Sequence, residues 1–72
     1  MKAFVTNENE FLKNIQEKKD VNLNNEVVFS NFSDEHRGEY YRISYLVSGQ
    51  TSEYINADNI QDIIQDFEEN YK

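Results

Sequence analysis

The sequence predicts an α+β protein in the order α-β-β-β-α, a three-stranded antiparallel meander with two helices on one face. Three observations lead there. Apolar residues recur at helical spacing near each end of the chain. Between them, residues 39–47 alternate with the period of two of a half-buried strand. The chain's 2 glycines flank that run, where it has to reverse direction.

Taken in order, Lys2 to Val5 read either as a short strand or as a lead-in. Asn7 with Glu10 three residues on resembles a capping box, and Phe11, Leu12 and Ile15 give the following helix, near 8–19, a narrow apolar stripe. Lys18 and Lys19 complement the negative end of that helix, which should stop near Asp20. Val21 and Leu23 lead through Asn24 and Asn25, a pair suited to a turn, into a strand near 26–32 carrying Val27, Val28, Phe29 and Phe32.

Ser33 to Gly38 is a polar loop. In the next strand, near 39–47, Tyr41, Ile43, Tyr45 and Val47 share one face and Tyr40, Arg42, Ser44 and Leu46 the other. The first set is expected to face the core. Ser48, Gly49 and Gln50 make a hairpin turn, returning a strand near 51–55. Asn56 is placed to cap a helix near 57–71, and Asp58 suits the positive end of its dipole.

Composition limits the function. The 72 residues fit one domain, 1–72, near the size at which a single core supplies only a few kcal/mol of net stability, so a second chain is expected to help hold it. With no cysteine and 1 histidine, disulfides, thiolate zinc sites and thiol nucleophiles are excluded, and a reducing cytoplasm is the compartment expected. Met1 to Thr6 are too short and polar for a signal peptide, and no apolar run approaches the ~18 residues of a membrane span.

The chain carries 14 acidic against 7 basic residues. The imbalance is uneven: 8 acids and 6 bases fall in residues 1–42, 6 acids and 1 base in 43–72. Direct nucleic-acid binding needs a positive footprint, so the partner expected is a basic protein surface. The 5 Tyr and 5 Phe, together with regular periodicity, argue against disorder.

The last helix holds the strongest candidate site. Asp58, Asp62, Asp66 and Glu69 fall within roughly 80° of one another at about 100° per residue, with neighbouring charges about 6 Å apart. Ile60, Ile63, Ile64, Phe67 and Tyr71 point the other way. An anionic row of this kind suits a cationic groove, although most acidic helix faces are merely solvated.

Tyr40 and Leu46, with Val28 and Phe32, give the open sheet face more apolar surface than solvation needs. This makes it either a contact surface for a second copy or a partner, or a set of isolated exposed hydrophobes. Asp34 to Arg37 lack the spacing of a zinc helix or a calcium loop, and neither glycine belongs to a phosphate-binding loop, so no cofactor, metal or catalytic role is expected.

In its order of elements and its charge, the whole chain resembles the phage-encoded protein inhibitors of Cas9-type nucleases, the anti-CRISPR proteins, and more loosely other phage DNA mimics. The resemblance implies a stoichiometric inhibitor in the host cytoplasm that fills a nucleic-acid channel with carboxylates. Asp58, Asp62, Asp66 and Glu69 would then stand in for phosphates, with Asp34 and Glu35 at the hairpin tip as a second group of contacts. The alternative is a small structural or regulatory homodimer joined through the Tyr40 and Leu46 face, its acidity serving solubility.

Overall fold

In a computed structural model that describes residues 3–36, 38–55 and 60–71, the chain forms an α+β fold with a mixed five-stranded sheet. Its elements are β1 (Ala3–Val5), α1 (Glu8–Gln16), β2 (Val21–Leu23), β3 (Val27–Asp34), β4 (Gly38–Tyr45), β5 (Gln50–Ile55) and α2 (Ile60–Tyr71). Spatial order follows chain order. β1 pairs parallel with β2 across the α1 crossover, and β2 to β5 form an antiparallel meander.

The expected three strands are β3, β4 and β5, one side of a wider sheet, which is extended on its other side by β2 and by β1, the strand reading of the first residues. Both are only three residues long and are held by side chains as much as by the ladder. Asn24 and Asn25 adopt φ of 54° and 57°, the left-handed geometry that asparagine tolerates, and the Glu26 N–H closes the turn on the Leu23 carbonyl at 2.8 Å. The Asn24 backbone N–H donates to the Val5 carbonyl at 3.1 Å and its side chain to that of Thr6 at 3.2 Å, tying the turn to the end of β1. Asp20 extends β2 sideways by accepting the Asn31 N–H at 2.8 Å.

Asn7 caps α1 as expected, its Oδ1 accepting the Glu10 N–H at 2.8 Å. The helix ends at Gln16, short of position 19, because Lys18 turns left-handed at φ 60°. Its N–H reaches the Ile15 carbonyl and that of Lys19 the Asn14 carbonyl, each at 2.9 Å, a Schellman closure with lysine where glycine is usual.

The register places Val5, Val21, Leu23, Val27, Phe29, Tyr41, Ile43 and Tyr45 on one sheet face, buried under Phe11 and Ile15 of α1 and Ile63 and Phe67 of α2. Both helices thus cover the same face, with Phe11 and Phe67 in contact at 5.0 Å between ring centres. Val47 is not part of this set. β4 stops at Tyr45, and Leu46 to Gly49 form the turn, in which the Gly49 N–H bonds the Tyr45 carbonyl at 2.7 Å, leaving Val47 84% exposed. At the other end β3 runs on to Asp34, so the polar loop shrinks to a tip between Asp34 and Gly38, which are paired. Asn56, Asp58 and the stretch 57–59 of the expected last helix lie outside the described residues. No described helix is long and apolar enough to cross a membrane.

Candidate functional site

The carboxylates of α2 do not form one exposed row. Asp62 and Glu69 are exposed on its outer flank, Glu69 accepting a 3.1 Å hydrogen bond from Gln65, whereas Asp66 turns toward the sheet. Its two oxygens each accept a phenol hydroxyl at 2.5 Å, Oδ1 from Tyr45 and Oδ2 from Tyr54. Asn70 adds a 3.1 Å bond to Oδ1. Asp66 is therefore a buttress that fastens the helix to β4 and β5, since a charged acceptor makes the stronger kind of hydrogen bond.

Electrostatics follow the geometry. Burial works to raise the Asp66 pKa, but the hydrogen bonds from Tyr45, Tyr54, Ser52 and Asn70 outweigh it and hold the carboxyl below its usual range. The Tyr45 hydroxyl is pushed well above its ordinary value, first by burial and then by Asp66. Tyr54 is raised by the same two causes, with further contributions from the charges of Asp62 and Glu69. The acidic flank of α2 and the β5 edge thus share one field.

The second acidic group is also divided. Asp34 accepts the His36 N–H at 2.7 Å and shapes the hairpin tip, while Glu35 is exposed. The tip lies at the same end of the sheet as the end of β5, because Tyr40, two residues after Gly38, pairs with Ile55.

Tyr40 and Leu46 do not make a common patch. Tyr40 stands near the start of β4 and Leu46 just past its end, about 20 Å apart at about 3.3 Å per residue. Tyr40 is only 8% exposed, stacked on Phe32 at 5.1 Å, whereas Leu46 is 51% exposed in the turn. Between them Arg42 lies over the Phe32 ring at 4.9 Å and pairs with Glu53 at 2.7 Å, so the middle of the open face is polar.

A shallow cleft of about 250 Å³ lies at the far end of α2, lined by Glu26, Tyr45, Val47, Ser48, Asn70 and Tyr71. The Tyr71 hydroxyl donates to Glu26 across it at 3.1 Å. Among the described residues no three acidic or histidine side chains converge as a metal site would require.

Sequence reasoning missed the Asp66 buttress. Two signals could have found it. Asp66 is the member of the row closest to the apolar face, about 60° from Ile63 at 100° per residue, and buried tyrosines need a partner for the hydroxyl. Compared with known proteins, the chain matches no family model, no curated protein and no solved structure.

Proposed function

We propose that this protein is a small non-enzymatic inhibitor that binds the basic, nucleic-acid-binding surface of an enzyme, as phage anti-CRISPR proteins and other DNA mimics do. The outer flank of α2, with Asp62 and Glu69 at its centre, takes the place of a phosphate backbone. The observation that carries this reading is that α2 exposes acidic residues on one flank, Asp62 and, in its last turn, Glu69, and has no basic residue in that turn. Negative charge at a helix C-terminus opposes the dipole and weakens the helix. Carboxylates placed against stability suit a cationic partner better than they suit folding.

The homodimer reading has less support, because Tyr40 is largely covered and the Arg42–Glu53 pair divides the open face. The test is displacement of labelled duplex DNA from a guide-loaded Cas9-type nuclease and from a panel of other DNA-binding enzymes. The wild-type chain is expected to compete with at least one of them, less well as salt rises, and a variant with Asp62→Lys and Glu69→Lys is expected to lose the competition. Equal competition by the double variant would overturn the reading.

A further inference from the structure

We propose that the outer edge of β5, beyond which no described strand lies, is a docking site for an extended basic segment of a partner protein, which adds a strand to the sheet with its cationic side chains turned toward α2 and its apolar ones toward the open face. The sign of that segment's charge rests on the function proposed above; the edge itself does not.

The ladder fixes which backbone groups are on offer. The Leu46 N–H bonds the Glu26 carbonyl at 2.9 Å, continuing the register in which Tyr45 opposes Val27. Antiparallel pairs alternate, so the even-numbered residues of β4 direct their backbone groups to β3, and Tyr41, Ile43 and Tyr45 direct theirs to β5. Their partners Tyr54, Ser52 and Gln50 point inward in return. Thr51, Glu53 and Ile55 consequently aim theirs away from β4, and no described strand lies beyond.

Sheet edges are ordinarily blunted by proline, by charged side chains, above all lysine, or by a bulge. Of these β5 carries only Glu53, whose charge Arg42 offsets: its sequence is QTSEYI, its register with β4 is unbroken, and none of its residues has a positive φ. At six residues it is twice the length of β1, the opposite edge.

The walls beside the edge select the occupant. On the helix side stand Tyr54 and Asp66, with Asp62 and Glu69 near enough for their charges to act on the Tyr54 hydroxyl. On the other side Ile55 is 54% exposed beside Tyr40, and the Glu53 carboxylate is neutralised by Arg42. An incoming strand whose alternate side chains are basic and apolar meets both walls. A second copy of this chain is disfavoured, since two-fold pairing of β5 with itself would bring two acidic flanks together.

The probes are a blocked peptide of about seven residues alternating lysine and valine, and its glutamate–valine counterpart, each titrated into the full isotope-labelled chain. The lysine peptide is expected to bind, more weakly as salt rises, and to slow hydrogen exchange at the amides of Thr51, Glu53 and Ile55. The glutamate peptide is not. Thr51→Pro removes an outward donor and one exposed hydroxyl contact with Ser44 but leaves the β4 ladder intact, so it should weaken binding about tenfold or more with hydrogen exchange at the β4 amides unchanged. Asp62→Asn with Glu69→Gln should weaken binding several-fold at low salt.

Unchanged binding by Thr51→Pro together with loss in the carboxamide variant overturns edge docking while leaving the charge reading standing. The reverse pattern keeps the edge and overturns the basic occupant, and with it the charge reading. Protection of the same three amides in the unliganded chain, rising with protein concentration, overturns the proposal in favour of a second copy. Should the proline variant unfold, the wild-type exchange pattern decides, and protection confined to other residues overturns the proposal.

Discussion

The two helices bury the same kind of surface and differ in how their ends are treated. α1 buries Phe11 and Ile15 and α2 buries Ile63 and Phe67, in one cluster. α1 is finished at both ends, by the Asn7 cap, acidic Glu8 and Glu10 in its first turn, basic Lys13 in its last turn and the closure at Lys18. α2 has no basic residue in its last turn, carries Glu68 and Glu69 there, and is fastened from the side by Tyr45 and Tyr54 on Asp66. At 9 residues α1 also needs its packing, but its ends obey local rules. α2 depends on tertiary contacts, which frees its outer flank for carboxylates that local rules disfavour.

The largest effects should fall where the helices are alike. Phe11→Ala and Phe67→Ala each remove a fully buried ring and should cost about 3–5 kcal/mol, comparable to the whole stability of a domain this size. Chemical denaturation measures both. A Phe67→Ala variant that kept wild-type stability would detach α2 from the core and end the comparison.

Next comes the contact that only α2 has. Asp66→Ala leaves two phenols without their acceptor and should cost about 1–3 kcal/mol, the lower part of that range applying because water can reach a partly exposed site. The pH dependence has a definite sign. Asp66 is held below its usual range, so its contribution is present above the unfolded carboxyl pKa of about 3.9 and lost as pH falls toward the folded value. The tyrosines are raised, so theirs is present below about 10 and lost as pH climbs past it. Melting temperature against pH should therefore fall at both extremes, and less steeply in Asp66→Ala. Identical profiles for the two proteins would remove the buttress.

How far the sequence could be read follows the same division. α1, its cap, the antiparallel core of the sheet and the apolar stripe of α2 rest on local periodicity and turn chemistry, and all were legible. β1 was legible only as one of two readings and β2 not at all, because a three-residue strand shows no period and theirs is fixed by a parallel partner across the α1 crossover and by the side chain of Asn24. Asp66 was legible only as a member of a helical row. Its true surroundings come from Tyr45 and Tyr54, 21 and 12 residues away, so helix geometry alone could not separate it from Asp62 and Glu69.

Removing the α1 cap should have a smaller effect. Asn7→Ala deletes the acceptor of the Glu10 N–H and should cost about 1 kcal/mol. A loss approaching that of Phe11→Ala would mean that the cap also anchors the end of β1, two residues away in the chain, and that α1 is less self-sufficient than its ends suggest.

The smallest effect bears most directly on α2. Glu68 and Glu69 stand about 100° apart around the helix, on different flanks, yet both lie near its C-terminus and oppose the dipole equally. Glu68→Lys and Glu69→Lys should each raise stability by about 0.3–1 kcal/mol, Glu69 somewhat less because it also accepts from Gln65. If α2 is acidic for the sake of a partner, the two gains should separate in the DNA-displacement assay: the Glu69 variant loses competition while Glu68→Lys, off the Asp62 flank, keeps it. Equal gains in stability with no difference in displacement would make the acidity of α2 a general property of its surface, and the contrast between the helices would then concern folding alone.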